Sequence, residues 1–291
     1  ISISRRESCG LWTAPGRWKK CSPRSGQYST EERQEKGIGS KMAVTIKSPR
    51  EIACMREAGR LLAEVHEELG RIIRPGISTK EIDRMCEKLI RERGCIPNFL
   101  HYQGYPASVC VSVNEEVVHG IPRTTHIIQE GDIVSLDTGL IYKGYHSDAA
   151  RTHAVGRISP AAQRLLDVTK QSFFEGIRMA RAGNRLFDIS NAIDAYVTPF
   201  GYGIVRALVG HGIGTRLHED PPIPNYAQRR RGMKLRPGMT LAIEPMINMG
   251  TAEVDWLDDE WTVISRDHSL SAHYENTVLI TDGEPEILTL V

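Results

Sequence analysis

From Ser48 onward, Ile52, Met55, Gly59, Leu62, His66, Leu69 and Ile73 recur at steps of three and four, the period of one buried face of an α-helix. Ser48-Pro49-Arg50-Glu51 supplies its start. The serine can accept from the backbone N–H three residues on, proline suits the first helical position, and the glutamate can return the bond to the cap. Arg74-Pro75-Gly76 ends this helix, and Ser78-Thr79-Lys80-Glu81 opens a second that Gly94 closes. Strands are predicted next, around 108–113, 131–142 and 147–155. The order then repeats. Ser159-Pro160 starts a third helix that ends at Arg181-Ala182-Gly183, and a fourth runs to about Gly201. Strands follow around 203–209, 239–248, 261–265 and 273–281. An offset of 107 carries Arg74 and Gly76 onto Arg181 and Gly183, Ile82 onto Ile189, Gly94 onto Gly201, Gly131 onto Gly238, and Asp137 onto Glu244. The pattern predicts an α/β domain with pseudo-two-fold symmetry and its site on the axis.

The run SLDTGLIYKGYHSDAARTHAVG, residues 135–156, places one aspartate on each of two predicted strands. A hairpin folding near Tyr142-Lys143-Gly144 sets Asp137 and Asp148 roughly opposite each other. Opposed side chains on antiparallel strands lie only ~4.5–5.5 Å apart at Cβ, where like charges repel. A cation or a shared proton has to lie between them.

Composition narrows the class. With 40% hydrophobic and 25% charged residues, the chain reads as an ordinary globular protein. No apolar run approaches the ~20 residues that span a bilayer, and no secretory leader is evident, so a cytoplasmic protein with no membrane contact is expected. Six cysteines without a C-x-x-C spacing speak against a zinc knuckle or a disulfide framework. Charge is uneven: residues 1–41 hold nine Lys/Arg against four Glu and lack apolar periodicity. They are expected to form a basic, unfolded extension without a part in the fold, with an organelle presequence or an RNA-touching arm as alternatives. Met42 then begins the folded domain, 42–291.

Further candidates for chemistry are His211 in VGHGIG, Glu244 in LAIEPM, Glu275 in SAHYENTVLI, His119 in VVHGIP and His218 in RLHEDPP. Singly, a strand acid usually faces water and a lone histidine usually packs with a satisfied hydrogen bond. Four carboxylates and a histidine in strand-like or glycine-bounded settings are another matter, because unpaired burial costs several kcal/mol each. Two divalent ions would balance four carboxylates. Mostly oxygen donors with one imidazole suit Mn, Fe(II), Co or Zn.

Asp137, Asp148, His211, Glu244 and Glu275, set in VVHGIP, GHGIG, RLHEDPPIPNY, LRPGMTLAIEPM and SLSAHYENTVLIT, resemble the metal ligands and surrounding motifs of the bacterial-type type I methionine aminopeptidases over residues 42–291. The resemblance implies the pita-bread fold, a curved, mainly antiparallel sheet backed by two helix pairs, with a dinuclear metal site at its centre. It implies removal of N-terminal methionine from nascent polypeptides, preferentially before a small second residue, by metal-activated hydroxide attack on the first peptide bond. Asp148 and Glu275 would bridge the ions, Asp137 would chelate one, and His211 with Glu244 would complete the other. Glu244 would transfer protons, His218 would hold the carbonyl or oxyanion, and His119 would bond the substrate amide. The methionine pocket would be formed by Phe99, Tyr102, Tyr105, Cys110, Leu217 and Trp261. Phe99 and Leu217 depart from the cysteine and phenylalanine common in bacterial relatives, and His273 stands where glutamine is frequent.

Within the same fold, prolidases and aminopeptidases P use an equivalent ligand set, generally behind a large N-terminal domain. Type II methionine aminopeptidases carry a helical insertion that the 31 residues from Glu244 to Glu275 leave little room for. The zinc-binding extension of eukaryotic type I enzymes is not supplied by Cys9 and Cys21. A metal-free binding module on this fold would have lost ligands, and none is lost. Arg229 to Arg231 in YAQRRRG read as a solvated loop or a transient ribosome contact, and a monomer is expected.

Overall fold

The computed structural model describes residues 44–290, so the expectation for residues 1–41 lies outside the described residues. Helix α1, Pro49–Ile72, starts at the predicted signal. The Glu51 N–H donates to the Ser48 hydroxyl at 3.4 Å, and the Ser48 N–H donates to the Glu51 carboxylate at 2.7 Å. Helix α2, Thr79–Glu92, repeats this reciprocal cap with Ser78 and Glu81 at 3.2 and 2.9 Å. Helix α3, Pro160–Ile177, is capped by Ser159, and α4 follows as Leu186–Val197. Both α1 and α2 turn their apolar faces onto strands Cys110–Val113, Ile133–Tyr142 and Tyr145–Ala154. Helices α3 and α4 do the same for the second half, against Thr240–Ile243, Met246–Asn248 and Glu275–Leu279.

Among the described residues the strands form one antiparallel nine-stranded sheet and two three-stranded ones. At the centre of the large sheet the order is Ile133–Tyr142, Tyr145–Ala154, Glu275–Leu279, Thr240–Ile243. Each half contributes two neighbours, and the halves meet along the pairing of Ala150 with Glu275 and Ala149 with Asn276. The repeat extends to the backbone. Gly76 and Gly183 have φ of 88° and 94°, Gly94 and Gly201 69° and 75°, Gly131 and Gly238 94° and 85°, all in the left-handed region glycine enters freely. The Gly76 N–H donates to Ile128 O and the Gly183 N–H to Leu235 O, a pair of bonds related by the same offset of 107.

Three predicted strands are corrected. The one around 203–209 is limited to Gly203–Ile204. Those around 239–248 and 273–281 each break in two, at Glu244-Pro245 and at Tyr274. Pro245 has no N–H to continue the ladder, and the Tyr274 N–H turns to Pro245 O at 3.2 Å. Thr240–Ile243 and Glu275–Leu279 stay in the large sheet, while Met246–Asn248 and Ser271–His273 pair in a small one. The second hairpin is thus bent at its acids.

One close approach locks α1 down. A Cβ on Gly59 would lie 2.2 Å from Leu288 O and 2.6 Å from Leu288 C. Alanine would gain ~1 kcal/mol of helix propensity there, but the clash is with backbone, and overpacking costs ~1–3 kcal/mol. Gly59→Ala is therefore expected to lower the melting temperature, which calorimetry checks; an unchanged or raised value would contradict this packing. Among the described residues no helix is long and apolar enough to cross a membrane.

Candidate metal centre

The first hairpin turns through Lys143 and Gly144, with φ of 49° and 83°, the two left-handed residues that suit strand twist. Its register pairs Asp137 with Ala150 and Gly139 with Asp148. The aspartates are therefore diagonal neighbours on one face, ~7–8 Å apart at Cα, where the sequence placed them roughly opposite each other. The residues facing them are Ala150 and Gly139, so room remains between the carboxylates. Across the sheet, Cys110 pairs with Asp137, Asp137 with Ala150, and Ala150 with Glu275, which sets an acid on either side of one small residue.

The second half completes the cluster. Asn276 pairs with Ile243, bringing Glu244 beside Glu275, and His211 pairs with Ala242. His211 Nε2 lies 3.5 Å from Glu244 Oε1 and 3.9 Å from Asp148 Oδ2. His211 Nδ1 contacts Gly212 O at 2.9 Å, so its proton sits there and the Nε2 lone pair faces the acids. Among the described residues, two triplets have one donor atom each within 4.8 Å of the others: Asp148, His211 and Glu275, and Glu244, His273 and Glu275. Glu275 belongs to both. Asp137 stands outside these triplets, and His119 and His218 border them.

Burial sharpens the electrostatics. Asp137, Asp148, His211 and Glu275 are buried, and Glu244 is nearly so. Burial lifts the Asp137 carboxyl to about 8. Burial, then the Asp137 charge, holds Asp148 well above the carboxylate range. Glu244 and Glu275 are raised by burial first and by the neighbouring acids next. His211 and His119 are pushed down to about 4 by burial, and His218 is lowered by burial and then by the other histidines. Asp137 Oδ1, Asp148 Oδ1 and Glu275 Oε1 are buried without a hydrogen-bond partner. Ligands held ~2.0–2.2 Å from one ion lie roughly 3–4 Å apart. The 3.5 and 3.9 Å spacings match that and exceed the hydrogen-bond range. The donor set therefore fits hard or borderline divalent ions.

An apolar cluster adjoins the acids. Phe99, Tyr105, Cys110 and Leu217 are buried in it, with Tyr102 and Trp261 packed against them, so all six predicted pocket residues share one cluster. Trp261 stands edge-on to Tyr105 and to His119 at 5.1 and 6.3 Å between ring centres. Tyr102 does more than pack: its hydroxyl is 2.7 Å from His218 Nδ1. Sequence reasoning also missed the supports. Thr277 Oγ1 accepts from the Asp148 N–H at 3.0 Å and donates to Asp148 O at 2.9 Å. Arg151 donates to the carbonyls of Glu275 and Thr289 and stacks on Tyr274. A lone arginine inside the strand SDAART was the available sign. Arg231 of the arginine run is held by Asp188 at 2.7 Å, while Arg229 and Arg230 are exposed.

Comparison with known proteins agrees with this geometry. The pattern of metallopeptidase family M24 matches residues 53–282. The methionine aminopeptidase of Clostridium acetobutylicum is 52% identical over 247 residues, covering 85% of this chain and 99% of that one. The crystal structure of methionine aminopeptidase from Thermotoga maritima superposes with a TM-score of 0.84 at 42% identity, over 86% of this chain and 100% of that one. An Xaa-Pro dipeptidase from Bacillus anthracis shares the fold more distantly, with a TM-score of 0.69 and 27% identity over 84% of this chain and 61% of its own. The fold alone does not choose between these activities; the sequence identity does. This chain belongs to metallopeptidase family M24 and, within it, to the methionine aminopeptidases.

Proposed function

We propose that the chain releases methionine from the N-termini of nascent polypeptides, before a small second residue, with two divalent ions held by Asp137, Asp148, His211, Glu244 and Glu275. The observation that carries this reading is the convergence of three buried carboxylates, a fourth nearly enclosed, all raised, and the Nε2 of His211 beside the apolar cluster of Phe99, Tyr105 and Leu217. Mn, Fe(II), Co and Zn all suit these donors. When bound, such ions supply a lowered water pKa and Lewis acidity toward the scissile carbonyl.

The chain's own groups do the rest. Asp148 and Glu275 would be shared by both ions, Asp137 would help hold one, and His211 with Glu244 would help hold the other. Glu244 is the least enclosed of these acids, with 13% of its side chain exposed, which suits it to carry a proton between water and the leaving amine. With the Tyr102 hydroxyl donating to Nδ1, His218 keeps its proton on Nε2 for the developing oxyanion. His119 stays neutral at pH 7 and can bond the substrate amide. Cys110 pairs with Asp137 across the sheet, so the pocket for the side chain adjoins the acid expected to hold the metal near the α-amine.

Tyr102→Phe removes one hydrogen bond from His218, worth ~1 kcal/mol. It is expected to lower kcat about five- to tenfold, with KM little changed; steady-state kinetics on Met-Gly-Met-Met checks this. The overall test is cleavage of Met-Gly-Met-Met, Lys-Gly-Met-Met and Arg-Pro-Pro by chelator-stripped protein with Mn or Co restored. Release of methionine alone supports the reading, and preference for Arg-Pro-Pro moves the chain toward the Xaa-Pro enzymes. We take it to act as a cytoplasmic monomer. Ribosome contact through exposed Arg229 and Arg230 predicts salt-sensitive cosedimentation that is lost when both are neutralised.

A further inference from the structure

His273 ends strand Ser271–His273, two residues before Glu275. Its backbone is clamped: the N–H donates to Thr152 Oγ1 at 2.9 Å, and the Thr152 hydroxyl donates to His273 O at 2.9 Å. Pairing with Met246 across the strand adds a second constraint. The ring is 1% exposed, and neither nitrogen has a hydrogen-bond partner. Among the described residues, it is the one histidine with both nitrogens in that condition. Two other histidines differ: buried His66 contacts Ala149 O through Nε2 at 2.8 Å, and in half-buried His153 only Nε2 is both enclosed and unpartnered.

Burying a polar atom without a hydrogen bond is costly, so the enclosed Nε2 calls for a partner. The groups facing Nε2 are Glu244 Oε2 and Glu275 Oε2, each at 3.9 Å. That is too far for a hydrogen bond. It matches the 3.9 Å between His211 Nε2 and Asp148 Oδ2, and the three donor atoms of Glu244, His273 and Glu275 lie within 4.8 Å of one another. The spacing suits donors around one shared cation.

We infer that His273 Nε2 is a sixth protein ligand of the metal centre, on the ion shared by Glu244 and Glu275; this rests on the metal-centre reading given above. With His211 already present, the ion would meet two imidazoles. A second nitrogen donor shifts preference from Mn toward Co, Ni and Zn, which bind imidazole more strongly than manganese does.

The test uses the full chain, stripped with chelator and titrated with Co2+ alone. Proton NMR of the cobalt-loaded protein counts hyperfine-shifted ring N–H signals from directly ligated histidines. Two signals are expected in the wild type and one in His273→Gln, with Co2+ affinity falling at least about tenfold and Mn2+ affinity changing much less. One signal in the wild type, or two that survive in His273→Gln, would overturn the assignment. The wild-type count stands even where the glutamine variant fails to fold, and His273→Asn gives a second comparison. No cobalt binding at all would instead sink the metal-centre reading, and this proposal with it.

Discussion

Replacing Asp148 with asparagine is expected to lower kcat/KM for methionine release by about a thousandfold or more while raising the melting temperature of the metal-free protein at pH 8. Both effects follow from one carboxylate. Asp148 Oδ1 is buried without a partner and Oδ2 faces His211 at 3.9 Å, a setting that suits the ligand role proposed for it. Asparagine keeps the shape but loses the charge that would bridge two cations. In the metal-free protein the same loss removes one of four mutually repelling acids. The strand itself should hold, because Thr277 grips the backbone N–H and carbonyl of Asp148 and not its side chain. Kinetics, bound-metal analysis and calorimetry read the three consequences. Activity within tenfold of wild type would remove Asp148 from the ligand set, and a lower melting temperature would mean that repulsion is not what its neighbours feel.

The second large effect is on pH dependence. Metal-free protein is expected to lose stability as pH rises from 6.5 to about 8, and saturating divalent ion should abolish or reverse that trend. Asp137 is raised to about 8 when folded, against 3.8 when exposed. In this window the unfolded chain has lost that proton and the folded chain still holds it. Stability therefore falls with rising pH, by about 2 kcal/mol across the interval for one such group. Asp148, Glu244 and Glu275 are raised too and act in the same direction. Below pH 6.5 the buried neutral histidines oppose the trend. His211 at about 4 and His273 at about 3 are depressed, so they contribute stability that fades as pH falls. Above 6.5 the unfolded imidazoles are neutral and the carboxyls act alone. For a domain of this size the Asp137 contribution alone should lower the melting temperature by roughly 4–8 °C. Metal binds the ionised acids and so favours the higher pH. A flat profile in chelator-stripped protein would show that the acids are hydrated or separated in the absence of metal.

Much of this is legible in the amino-acid sequence. Ser48 and Glu51, and Ser78 and Glu81, marked two helix starts because a cap is a local hydrogen-bond pattern within four residues. The offset of 107 was visible because glycines at left-handed turns tolerate no ordinary substitute. Four of the five expected ligands stood out as acids in strand-like runs, and His211 as a histidine between glycines. Less legible were the breaks at Glu244-Pro245 and Tyr274, which depend on which sheet each strand half joins. The diagonal placement of Asp137 and Asp148 also escaped, since a two-residue turn at 142–143 and the same turn shifted by one residue to 143–144 look alike in sequence.

The sequence by itself determined the helices, the repeat, the family and the residue types able to hold metal, because each rests on local pattern or on a motif of specific residues. Only the tertiary structure decided that Tyr102 supports His218, that Thr277 and Arg151 hold the acidic strands, and that the His273 ring lies against Glu244 and Glu275 with nothing to bond. Except for the neighbours His273 and Glu275, those are contacts between residues 29 to 129 positions apart. Their distances depend on how two half-domains pack, and no local pattern in the chain encodes that.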